Sequence, residues 1–136
     1  TGTDADWVVK LIDVWPDRLP GHDEDSSERD RGGQQTLVRG EPFRGRFRES
    51  YETPVPVVPD EVAAVDFRVN DVFHTFKRGH RIMVQIQSSW FPFNDRNPQT
   101  FVPNIFEASE SEFVRATHRV HRSVEQPSRI EILVLE

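Results

Sequence analysis

The residues able to do chemistry are few, and their spacing limits each of them. Hydrolysis by a serine nucleophile needs that serine on a strained strand-to-helix turn, usually signed Gly-x-Ser-x-Gly. No serine in the 136 residues has glycine two positions away on either side. Ser88 and Ser89 end a β-type run, and the nearest histidines in sequence are His74 and His80. A Ser-His-Asp triad within the chain is therefore not expected. His118 and His121 are spaced like a metal pair, but residues three apart on a strand face opposite sides, so the imidazoles diverge. Asp23-x-Asp25-x-Ser27 opens like a calcium loop, yet the sixth position is Glu28 instead of glycine and the twelfth is Gln34 instead of glutamate. With no cysteine, disulfides, thiolate metal sites and a cysteine nucleophile are excluded. The expectation is no catalytic residue, no metal and no cofactor.

Two clusters remain. Period two in Phe43–Arg48 puts Phe43 and Phe47 on one face and Arg44, Arg46 and Arg48 on the other. That face could meet phosphate, but a solvated face or acidic cross-strand partners explains it more simply. The second cluster is Trp90-Phe91-Pro92-Phe93-Asn94-Asp95-Arg96-Asn97-Pro98. Three aromatics within four residues are too many for an ordinary solvated loop. Asp95 and the asparagines can bond their own backbone and fix its shape. Either the loop folds over its own barrel mouth, or it docks another domain or a substrate. Trp90, Phe91, Phe93, Asp95 and Arg96 are the candidate site.

The elements that must carry these residues are strands. Val and Ile number 23, against 11 for Leu, Met and Ala together. β-Branched side chains suit a pleated surface and lose rotamer freedom in a helix. Trp7–Val14 is apolar on both faces, as a central strand should be. Further strands are expected at 35–39, 43–48, 62–70, 81–90, 115–121 and 129–135, with Ile82, Val84 and Ile86 facing inward and Gln85 and Gln87 outward. Residues 17–31 hold six acids and three arginines and read as a solvated loop ending at the Gly32-Gly33 turn. A single helical turn is expected near Glu107–Phe113, capped by Ser109. About seven strands without an internal repeat pack most simply as a two-sheet antiparallel sandwich of jelly-roll type.

Composition narrows the partners. The length suits one domain, 1–136. Apolar residues plus glycine make up about 40% of the chain, against about 45–50% for typical globular domains. Part of the surface is therefore solvated loop or is covered by a partner. The net charge of -6 weighs against nucleic acid as that partner. No apolar run approaches the length of a membrane-spanning helix, so no membrane partner is expected. Thr1–Asp4 has neither the basic nor the apolar region of a signal peptide, and nothing in the sequence assigns a compartment.

At its longest motifs the sequence is similar to a known family. His74-Thr75-Phe76-Lys77-Arg78-Gly79-His80-Arg81-Ile82-Met83-Val84-Gln85-Ile86, then Ser88-Ser89-Trp90-Phe91-Pro92 and Asp95-Arg96-Asn97-Pro98, resemble the C-terminal domain of the CocE/NonD serine hydrolases. That family includes cocaine esterase, X-Pro dipeptidyl-peptidase relatives, glutaryl acylases and α-amino-acid ester hydrolases. Asp4-x-Asp6-Trp7-x-Val9-Lys10-Leu11-x-Asp13-Val14 matches an earlier strand of the same domain. Gly32-Gly33-Gln34-Gln35 and Gln99–Phe106 look most like the α-amino-acid ester hydrolase branch.

The resemblance implies an all-β, galactose-binding-like jelly roll, incomplete at its N-terminal side. It also implies a partner: an α/β-hydrolase domain, elsewhere in a longer parent, carrying the Ser-His-Asp triad. None of the triad positions maps onto this chain. The implied role is to brace the catalytic domain and wall the substrate entrance. The alternative is a free-standing jelly-roll module binding carbohydrate or protein. Missing strands would leave ladder edges open, so the chain alone is expected to self-associate or to be poorly stable.

Overall fold

A computed structural model describes residues 1–17 and 32–135. Three strands form one antiparallel sheet: β1 (Asp6–Val14), β2 (Gln35–Arg44) and β3 (Arg81–Gln87), in the order β2-β1-β3. The strand apolar on both faces is the central one. The chain is all-β, and this sheet is consistent with an incomplete β-sandwich. Among the described residues the only helical segments are single 3-10 turns at Gly45–Phe47 and Glu110–Glu112. The second is the expected turn: the Glu112 carboxylate accepts from the Ser109 backbone N–H (2.7 Å) and hydroxyl (2.9 Å).

β1 and β2 are joined through the Gly32-Gly33 turn. Gly33 takes φ +71° and donates its N–H to the Pro16 carbonyl, while the Trp15 N–H reaches the Gln34 carbonyl, both at 2.9 Å. The intervening acidic loop and the rejected calcium pattern fall almost entirely outside the described residues.

Where two strands were expected at 35–39 and 43–48, there is one, running through Pro42. β2 lies at the sheet edge, where a missing N–H costs no ladder bond. A bulge falls at Val38, because Leu11 pairs with Arg39 and Ile12 with Leu37. The strand stops at Gly45, which lies against the Trp7 ring so closely that no Cβ would fit.

The two faces of the sheet follow from the register. Val8, Ile12 and Val14 share one face with Gln87 and Met83. Their exposures of 1%, 6% and 6% make it the buried side. Val9, Leu11 and Asp13 share the other face with Ile86, Val84 and Ile82. Across that second face runs the segment 67–74. Phe67 stacks on Phe43 at 4.8 Å, the Asn70 amide donates to Glu41 (2.9 Å), and His74 bonds Asp13 (3.0 Å). It covers β2 and part of β1 but stops short of β3.

The expected facing of β3 is therefore inverted. Ile82, Val84 and Ile86 are 55%, 41% and 40% exposed, while Met83, Gln85 and Gln87 are half-buried. The alternation along β3 is present, but which set is inward depends on which face receives cover. That cover is the loop after β3.

The strands expected at 62–70, 115–121 and 129–135 carry no ladder among the described residues. Their alternation partly persists: Val65, Phe67 and Val69 are half-buried, while Asp66, Arg68 and Asn70 are exposed. Pattern sets which side chains face inward, but a strand also needs a neighbour to accept its hydrogen bonds.

Candidate functional site

The aromatic loop is built onto the buried face. Trp90 lies over Gly40, where an added Cβ would come within 2.6 Å of Cη2 and 2.9 Å of Cζ3. Only a residue without a side chain admits the indole there. The Lys10 Nζ sits 4.3 Å from the same ring, and the Phe93 ring is 4.7 Å away. The Asn94 N–H closes the turn onto the Trp90 carbonyl (2.9 Å), around a cis Phe91–Pro92 bond. With Trp90 anchored, Phe91 and Phe93 remain 65% and 72% exposed. Arg96 lies between the rings of Phe91 (5.7 Å) and Phe113 (5.5 Å). Asp95 lines a small cleft with Asp6, Arg44, Ser89 and Trp90. The five expected residues thus lie on one loop: Trp90 holds it down, and the exposed Phe91, Phe93, Asp95 and Arg96 form its outer surface.

A buried polar lattice fixes the far end of the loop. The Asn97 amide donates to Asp6 Oδ1 (2.9 Å), and Arg44 approaches Asp6 Oδ2 at 3.4 Å. Burial pushes the Asp6 carboxyl above the usual range, and the Asn97 hydrogen bond and the Arg44 charge only partly oppose it. Beside it, the Arg46 Nε and Nη2 both donate to Asp4 Oδ2, at 2.9 and 2.6 Å. Arg46 also lies 4.7 Å from the Phe101 ring.

The expected arginine face is not assembled. The 3-10 turn after Arg44 sends the three side chains apart. Arg46 turns inward to 5% exposure. Arg48 donates to the carbonyls of Gly45, Val55 and Pro56. For Arg44 and Arg46 the acidic-partner explanation holds, and the three present no joint surface to a phosphate.

The histidines were not expected to assemble around Asp13, and they do. This carboxylate, 3% exposed, receives His80 Nδ1 at 2.7 Å and His74 Nε2 at 3.0 Å. Burial raises its pKa, but the two imidazole hydrogen bonds outweigh that and hold the carboxyl below the usual range. Trp15 packs on His80, with ring centroids 5.4 Å apart. Ser88 and Ser89 follow the other end of β3. From the Asp13–Ile82 pair to the Val8–Gln87 pair the strand advances five residue steps, or about 17 Å. Serine and the His-Asp pair are therefore separated by the length of the strand.

His118 is half-buried, bonded to Gln99 Oε1 at 2.6 Å, while His121 is exposed, so this pair diverges. Burial, then the charge of the N-terminal ammonium, lowers the His118 pKa. Among the described residues no three His, Asp or Glu side chains are placed to hold a metal ion, and no helix is long and apolar enough to cross a membrane. Gly40, Asn97 and Asp6 support the loop, a role that no local pattern around any of the three signals in the sequence.

Comparison with known proteins agrees with this geometry. The profile of the X-Pro dipeptidyl-peptidase C-terminal non-catalytic domain matches residues 1–131. Cocaine esterase of Rhodococcus sp. (strain MB1 Bresler) is 32% identical over 136 residues, which are all of this chain and 21% of the esterase. An aminopeptidase from the marine sediment archaeon Thaumarchaeota archaeon superposes with a TM-score of 0.83 at 52% identity, covering 93% of this chain and 20% of that one. An α-amino acid ester hydrolase superposes with a TM-score of 0.74 at 47% identity, over 83% of this chain and 17% of that one. The chain thus spans about a fifth of the length of these relatives. Its matched sequence and its all-β fold agree: the chain belongs to the X-Pro dipeptidyl-peptidase C-terminal non-catalytic domain family.

Proposed function

We propose that residues 1–136 serve as the C-terminal β-sandwich of a longer serine hydrolase acting on esters or amides. The domain braces the catalytic α/β-hydrolase domain and walls one side of its substrate entrance. In that parent a serine attacks the acyl carbon, a histidine moves the proton and backbone amides stabilise the oxyanion. Among the described residues this chain assembles none of those groups; its contribution is the loop Trp90–Arg96. One observation carries the reading: Phe91 and Phe93 stay exposed on a loop that Trp90, Lys10 and Asn97 hold in place. Two phenylalanines held mostly in water suit a surface that is covered in the parent.

The test uses the full-length hydrolase with Trp90→Ala and, separately, Phe93→Ser. Phe93 is mostly exposed and its ring contact is with Trp90, so Phe93→Ser should change the stability of the 136-residue chain by no more than about 1.5 kcal/mol. In the full-length enzyme it should lower the melting temperature and kcat/KM, as should Trp90→Ala. Unchanged melting and unchanged kinetics in both variants would remove the loop from the domain interface.

A further inference from the structure

The sheet has two outer edges, and they differ in a way that selects a partner. The β2 edge carries the devices that discourage pairing: a bulge at Val38, a proline at 42, and the charges of Arg39, Glu41 and Arg44. The segment 67–74 also lies against its face through Phe67 and Asn70. β3 has none of these. Arg81-Ile82-Met83-Val84-Gln85-Ile86-Gln87 pairs with β1 without a bulge, contains no proline, and has a single charge at its first residue. Among the described residues no backbone hydrogen bond reaches its outer side. The apolar set on its open face is also the exposed one, Ile82, Val84 and Ile86.

We infer that β3 pairs antiparallel with β3 of a second copy of this chain, about a two-fold axis at Val84. The sequence of the strand is self-complementary in that register. Val84 meets Val84, Ile82 meets Ile86, Met83 meets Gln85 and Arg81 meets Gln87, so every apolar residue of the exposed set opposes another and no two like charges meet. Directly opposed residues share a face, so the six isoleucines and valines form one strip across the junction. The result is a continuous six-stranded sheet. With only one unguarded edge per chain, assembly closes at the dimer; two such edges would propagate a filament. This inference concerns β3 alone and stands apart from the docking role of the 88–98 loop, so either can fail without the other.

Light scattering on the 136-residue chain over a concentration series should show a concentration-dependent dimer. Val84→Lys sets two ammonium groups opposite each other and should raise the dimer dissociation constant about tenfold or more. The same charge at the exposed Leu37 of β2 should leave it unchanged. Far-UV circular dichroism checks that both variants stay folded. Because the protein has no cysteine, Val84→Cys also reports the register directly: it should cross-link into a disulfide dimer, and Leu37→Cys should not. A monomer at every concentration overturns the inference. So do filaments, a dimer dissolved by Leu37→Lys but not by Val84→Lys, or equal cross-linking at the two sites.

Discussion

Gly40→Ala tests the central claim about the candidate site, that the aromatic loop is held by a close fit between an indole and a strand. The added methyl would lie 2.6 Å from Trp90 Cη2, whereas carbon atoms rest about 3.5–4.0 Å apart. The ring must retreat by about 1 Å. It is not free to do so, because Lys10 stands 4.3 Å from it and Phe93 4.7 Å away. Overpacking of this kind costs about 1–3 kcal/mol. In a Trp90→Ala background the same methyl enters vacated space. Replacing glycine within a strand then returns about 0.5–1 kcal/mol, because less backbone freedom is lost on folding. The sign of the Gly40→Ala effect should therefore reverse between the two backgrounds, with a coupling of about 2 kcal/mol. Urea unfolding of the four proteins in the cycle, followed by far-UV circular dichroism, measures this coupling. Additivity within about 0.5 kcal/mol would show that Trp90 does not rest on Gly40, and the account of the loop would fall with it.

Two other sites give predictions of different kinds. Among the described residues, Arg46→Met leaves the enclosed Asp4 carboxylate with only the Ala5 N–H (2.9 Å) and should cost about 3–5 kcal/mol in urea unfolding. Asp4→Leu with Arg46→Met should recover most of that loss, and a single-variant loss below about 1 kcal/mol would contradict the assignment of a buried pair. Asp13 gives a pH dependence. Its folded pKa lies below the unfolded value, so the unfolded chain binds the proton more readily. Its contribution is complete above the unfolded pKa of about 3.9 and fades as pH falls through the lower folded value. Asp13→Asn should therefore destabilise the protein at pH 6 and converge on the parent protein in strong acid. A difference that stays constant from pH 6 to pH 2 would rule this out.

Much of the site was legible because its signals are local. Aromatic crowding at 90–93 marks an unusual loop from composition alone, since so many apolar rings in succession are costly to solvate. The central position of β1 was also legible, because a strand apolar on both faces fits only between two layers. The turn at 110–112 was legible through Ser109, a residue type that caps helical turns. The Asp13 bridge was not: His74 and His80 lie 61 and 67 residues away in sequence, and only the fold brings them to β1.

Period two in the sequence determined that Ile82, Val84 and Ile86 share a face, and that Arg44, Arg46 and Arg48 would share one if the strand continued. Tertiary structure decided the rest. Gly45 closes against Trp7, so the strand ends and the arginines part. Trp90 settles on Gly40, so the Val8 face is buried and the Ile82 face is left open. The physical reason is the same in each case. Alternation is a property of one backbone, whereas burial and pairing belong to whatever lies across from it. In this chain a loop and a crossing segment that fold back onto β1 and β2 make that choice.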